Sequence, residues 1–174
     1  MSDAIIRAAG PDDIAAITRI YGDAVKNGTA TFEIEPPDQA EMARRRQALL
    51  AKDYPYLVAE RAGVVAGYAY VGPYHLRPAY RWSVEDTIYV APRFHRLGLG
   101  RLLMTRLIAD AQAGGFRQMI AVIGDSANAA SIAVHAAAGF RRIGTLQAVG
   151  FKHGRWLDVV MMQRPLGSAD STAP

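Results

Sequence analysis

Two neighbouring stretches hold residue types that could do chemistry. In Ser83–Val90, a β-forming and largely apolar run is interrupted by two adjacent carboxylates, Glu85 and Asp86. Arg93-Phe94-His95-Arg96-Leu97-Gly98-Leu99-Gly100-Arg101 then forms a turn that opens a helical stretch. Backbone N–H groups left free at a helix start can hold a pyrophosphate, and Gly98 and Gly100 permit close approach to the backbone. Arg93, Arg96 and Arg101 add positive charge around the same turn, which suits an anionic cofactor. A carboxylate just upstream could accept a proton. Each feature has a plainer alternative, since a two-glycine turn can be a simple helix start and a strand glutamate can face solvent. In a regular strand Glu85 and Asp86 point to opposite faces, so one of them enters a cleft, and Glu85 is the choice.

Composition removes other chemistries. The 174 residues include no cysteine, which excludes disulfides, thiolate-ligated zinc and acyl transfer through a cysteine. His75, His95, His135 and His153 lack a metal-binding spacing, so no metal is expected. Twenty Lys and Arg against 16 Asp and Glu give a net charge of +4, but the basic residues are scattered. Arg44-Arg45-Arg46 is the only run and reads as a solvated helix face, so nucleic acid is not an expected partner. No stretch approaches a membrane span and no basic-then-apolar leader opens the chain, which points to the cytoplasm.

These residues need a scaffold, and the punctuation supplies one. Residues 4–8 read as a strand, and Ile14, Ile17, Ile20, Tyr21, Ala24 and Val25 form one stripe on a first helix. Pro36-Pro37-Asp38 opens a second helix to about Leu50. Tyr56–Glu60 and Val64–Val71 form an antiparallel hairpin around Gly63. Residues 72–82 are an ordered loop, and Ser83–Val90 is a strand. A helix follows with Leu102, Leu103, Leu107, Ile108 and Ala111 on one side, closed by Gly114-Gly115. Met119–Ile123 is a short strand, Asn128–Ala138 a helix, and two strands meet near His153-Gly154. The reading is one domain over 1–166, of mixed α/β class with helices on both faces of the sheet, and a flexible tail over 167–174.

A strand ending Thr87-Ile88-Tyr89-Val90-Ala91-Pro92, followed by His95-Arg96-Leu97-Gly98-Leu99-Gly100, resembles the acetyl-CoA signature of the GNAT superfamily of N-acetyltransferases, Q/R-x-x-G-x-G/A. His95 stands where that signature has Gln or Arg. Asn128 and Ser131, with Val134-His135 and Gly139-Phe140, match the spacing of the family's later helix. Tyr80–Thr87, Ala121–Gly124, Gly150–Val159 and Gly72-Pro73-Tyr74 are similar to the phosphinothricin and methionine sulfoximine acetyltransferase branch, over residues 55–163.

The resemblance implies a mostly antiparallel GNAT-like central sheet, acetyl-CoA as co-substrate and a homodimer. Cofactor contacts fall on Ile88, Tyr89, Val90, His95, Arg96, Leu97, Gly98, Leu99, Gly100, Arg101, Asn128 and Ser131. The Val90 N–H faces the developing oxyanion where the strand splays from its neighbour. An amine must lose a proton before it attacks a thioester, and Glu85 falls on the position of the base. His135 is either the acid for the departing thiolate or a buried structural histidine. An amino-acid acceptor is implied, with contacts at Phe32, His75, Leu76, Arg77, Arg81, Glu85, Asp86, Thr87 and Lys152. An arginine fork at Arg77 or Arg81 suits its carboxylate. Transfer is expected to be direct, in a ternary complex. Rival readings are another amine acceptor, such as an aminoglycoside, polyamine or protein N-terminus, and a non-catalytic acyl-CoA-binding module, which would need no base.

Overall fold

A computed structural model describes residues 4–173. Its elements run β1 (Ala4–Ala8), α1 (Ile14–Asn27), α2 (Gln39–Leu50), β2 (Tyr56–Arg61) and β3 (Val64–Pro73). They continue with β4 (Ser83–Val90), α3 (Leu99–Ala113), β5 (Gln118–Gly124), α4 (Ala129–Ala137), β6 (Arg141–Lys152) and β7 (Arg155–Pro165). The strands form one sheet in the order β1-β2-β3-β4-β5-β7-β6. Every pairing is antiparallel except β4 with β5.

Alternation along β2 explains the layering. Leu57 and Ala59 face one side, where they join Leu103, Met104 and Leu107 of α3 in one buried cluster. Tyr56 and Val58 face the other, packing with Ile14, Ile17, Tyr21 and Val25 of α1 and Met42 of α2. A strand covered on both faces shows no polar alternation, which is why Tyr56–Ala59 reads as a continuous apolar run. Asp38 caps α2 by accepting the Glu41 N–H at 2.8 Å, as its place after two prolines suggests.

Two boundaries differ from the sequence expectation. The last helix begins at Ala129, because Asn128 is its cap and accepts the Ser131 N–H through its side chain. The segment after Leu166, expected to fray, instead turns back on the body: Leu166 is fully buried, and Arg117 donates to Ser168 and to Thr172. Pro174 and residues 1–3 lie outside the described residues. Among the described residues no helix is long and apolar enough to cross a membrane.

Candidate functional site

The site begins where two strands part. β4 pairs with β5 through Ser83, Val84 and Glu85 only, after which β4 stays with β3 and β5 stays with β7. The Ala91 N–H bonds back to the Ala66 carbonyl at 2.8 Å, on the β3 side. By strand alternation the N–H groups of Val90 and Ile88 point the other way, into the split. A cavity of about 340 Å³ occupies this region, bordered by Glu85, Asp86, Thr87, Ile88 and Tyr89 on one side and Ala121–Gly124 on the other. Unpaired backbone along a wedge between strands can hold an extended amide chain or an oxygen gaining negative charge.

Glu85 and Asp86 do face opposite ways, yet both border the cavity because it opens on both faces of the parted strand. The expectation that only Glu85 enters the cleft is corrected by that geometry. Burial, followed by the nearby Asp86 charge, pushes the Glu85 carboxyl up to about 7. A carboxyl near neutrality is suited to exchange a proton at physiological pH.

Asp86 is buried and meets His135, whose Nε2 lies 2.9 Å from Oδ2. The Ser131 carbonyl, which can only accept, lies 2.7 Å from His135 Nδ1, so Nδ1 carries a hydrogen. A second proton therefore sits between Nε2 and Asp86. Burial opposes charging of His135, but hydrogen bonding and attraction to Asp86, with the Ser131 carbonyl, carry its pKa upward on balance. Asp86 Oδ1 is buried without a partner on the same cavity wall.

The glycine turn lies at the end of β4. Gly98 has φ of +80°, a left-handed conformation that costs other residues, and it precedes α3 as its cap residue. No side chain caps that helix, so its first N–H groups point outward unclaimed. Around Gly100 the nearest atom to an added Cβ is Val134 Cγ2 at 3.6 Å, so the protein itself does not require glycine there. His95, Arg96 and Leu97 are exposed, and His95 Nε2 lies 2.9 Å from the Val90 carbonyl. The ring thus ties the turn to the end of the split strand. Asn128 and Ser131 border the cavity from the far side. The residues present fit an elongated, anionic, amide-containing cofactor.

Of the residues expected around the acceptor, Phe32, Glu85, Asp86 and Thr87 border the cavity, whereas His75, Leu76, Arg77 and Arg81 do not. Stacking holds their loop on the surface, with Tyr74, His75 and Tyr80 in mutual contact and the Arg81 guanidinium over Trp82. Lys152 is buried and donates to the Thr31 carbonyl at 2.8 Å, so it supports the wall from behind. Tyr21, Thr31 and Tyr70 border the cavity without having been singled out. Tyr70 was within reach of the sequence, because it is the register partner of Thr87. Tyr21 sits inside an apolar helical stripe and Thr31 in an irregular loop, and neither position signals a site.

Comparisons with known proteins agree with this geometry. The acetyltransferase (GNAT) family matches residues 17–140. Phosphinothricin N-acetyltransferase of Alcaligenes faecalis is 50% identical over 169 residues, covering 97% of this chain and 86% of its own. The L-methionine sulfoximine/L-methionine sulfone acetyltransferase of Salmonella typhimurium is 41% identical over 161 residues, covering 92% and 94%. Among solved structures, a phosphinothricin acetyltransferase from Sinorhizobium meliloti in complex with acetyl-CoA has a TM-score of 0.96 at 48% identity, covering 99% of this chain and 93% of that one. The parted strands, the uncapped helix start after Gly98 and these relatives lead to one conclusion: the chain belongs to the GNAT family and is an acetyl-CoA-dependent N-acetyltransferase.

Proposed function

We propose that the enzyme acetylates the α-amine of a small amino acid such as phosphinothricin, methionine sulfoximine or methionine sulfone, by direct attack in a ternary complex. The observation that carries the reading is Glu85, a half-buried carboxyl that burial pushes up to about 7, on the wall of a cavity otherwise rich in hydroxyls. Acetyl-CoA supplies the activated acyl group. Glu85 takes the proton of the substrate ammonium, and the Val90 N–H faces the carbonyl oxygen as it gains charge. The proton held between His135 and Asp86 is available to the departing sulfur. Hydroxyls of Tyr70 and Thr87 can donate to the oxygens of a phosphinate or sulfone, whereas the Tyr21 hydroxyl already donates to Glu33 and accepts from Thr31. Among the described residues no lysine or arginine borders the cavity, so the substrate carboxylate needs a cation from beyond its lining, and the exposed 74–81 loop carries Arg77.

A panel of amino acids, polyamines and aminoglycosides assayed by release of free CoA tests the reading. Acetylation of the amino acids is expected, together with weak turnover of their carboxyl-free amines. Preference for a polyamine or aminoglycoside would replace it.

We also propose that the active form is a homodimer. The edge strand β6 exposes Ile143, Leu146, Val149 and Phe151, with Trp156 beside them on β7. A long apolar edge strand invites pairing with another chain, and a second copy is the occupant favoured here. Sedimentation is expected to give a dimer that Phe151→Glu converts to monomer. A monomeric wild-type protein at micromolar concentration would refute this assembly.

A further inference from the structure

The wall of the acceptor cavity nearest the C-terminal hairpin comes from residues 28–33, which have no helix or strand of their own. Three contacts from distant parts of the chain and one from α1 fasten this segment. Lys152 Nζ donates to the Thr31 carbonyl at 2.8 Å, and Thr29 Oγ1 donates to Asp125 at 2.8 Å. His153 Nε2 reaches the Gly28 carbonyl at 3.3 Å, and the Tyr21 and Thr31 hydroxyls lie 2.9 Å apart.

Two glycines complete the arrangement. A Cβ at Gly150 on β6 would overlap three atoms of the Phe32 ring, at 2.9 Å from Cζ and closer to the other two. A Cβ at Gly124, at the end of β5, would lie 3.1 Å from Phe32 Cε1 and 2.7 Å from the Thr29 carbonyl. Neither glycine has a left-handed φ, so alanine would suit their backbones. At Gly150 an added methyl would fall on the Phe32 ring, and at Gly124 it would crowd the ring edge together with the Thr29 and Ala30 carbonyls.

We infer that Gly124 and Gly150 are specificity-determining positions, forming a slot that seats Phe32 as one wall of the acceptor cavity. Lys152 is a positioning residue that pins the backbone beside the seated ring. The size of acceptor side chain that the cavity admits is then set by where the two strands let the Phe32 ring lie. This rests on the acceptor reading given above and deepens it.

The test combines Gly150→Ala, Phe32→Ala and the double variant. In Gly150→Ala the added methyl drives the ring out of its slot, and the KM for the best amino acid rises about tenfold while acetyl-CoA affinity changes less than about twofold. In the Phe32→Ala background the same methyl meets no ring, and Gly150→Ala has no further effect. A Gly150→Ala effect of equal size in both backgrounds, or none in either, would overturn the slot.

Hydrogen exchange of the amides of residues 29–33 gives a readout independent of any acceptor. Faster exchange is expected in Gly150→Ala and unchanged exchange overturns the slot, whereas failure of every amino acid in the panel would overturn the substrate reading alone. Should Gly150→Ala not fold, Phe32→Trp probes the slot from the loop side. Its larger ring cannot enter, so amino-acid KM and loop exchange must both rise, and unchanged values overturn the proposal.

Discussion

The two halves of the site are built by different means. On the proposed cofactor side, the features are local and made of backbone: residues 95–101 supply a left-handed glycine, an uncapped helix start and exposed basic side chains within one turn. On the proposed acceptor side, the cavity is assembled from α1, the 28–33 segment, β3, β4, β5 and α4, each giving one to a few side chains. A backbone site depends on conformation and tolerates varied side chains. A side-chain cavity depends on what each wall residue is and on what holds it from behind.

Glu85→Gln attacks the acceptor side and has the largest expected effect. Turnover near neutral pH falls by roughly 10²–10⁴-fold, with acetyl-CoA binding retained and partial recovery at higher pH. In the wild type, kcat/KM rises with pH through an acid limb near 7, because the carboxyl must be ionised to act as base. Near-normal turnover of the variant across that limb would remove Glu85 from the mechanism.

The same variant has a stability signature. A carboxyl raised in the folded state is protonated in both states at about pH 4, and its burial penalty grows only as pH climbs towards 7. Glu85→Gln is therefore expected to stabilise the protein at about pH 8 by at most about 3 kcal/mol, and by nothing at about pH 4, in thermal unfolding.

Gly98→Val tests the backbone half. An added Cβ meets no atom within 4 Å, so the main penalty is the left-handed φ itself. Strain of about 1–3 kcal/mol corresponds to a loss of acetyl-CoA affinity of about 10–100-fold by calorimetry. The acid limb at about 7 stays in place, since Glu85 is untouched. Unchanged affinity would show that the cofactor is held elsewhere.

Arg77→Ala carries the smallest expected change, because the residue sits on an exposed loop outside the cavity lining. The KM for an amino acid rises about tenfold, with little change for its carboxyl-free amine. Equal changes for the two would move the carboxylate contact to another residue, with Arg81 next to be tested.

The sequence by itself determined what is local. Hydrophobic period and turn residues marked the strands and helices, and the order of Glu85, Gly98, Gly100 and Asn128 along the chain carried the family resemblance from which the expected contacts came. Backbone conformation leaves such marks because glycine, proline and capping residues are chosen by position.

Tertiary structure decided the rest. The parting of β4 from β5 depends on which strands pair, and Asp86 finds His135 across 49 residues of chain. It turned Lys152 from an expected substrate contact into a support for Thr31, and it placed the Phe32 ring where Gly124 and Gly150 lack a Cβ. None of these leaves a local signal, because a side chain's role in a shared cavity is fixed by neighbours distant in sequence.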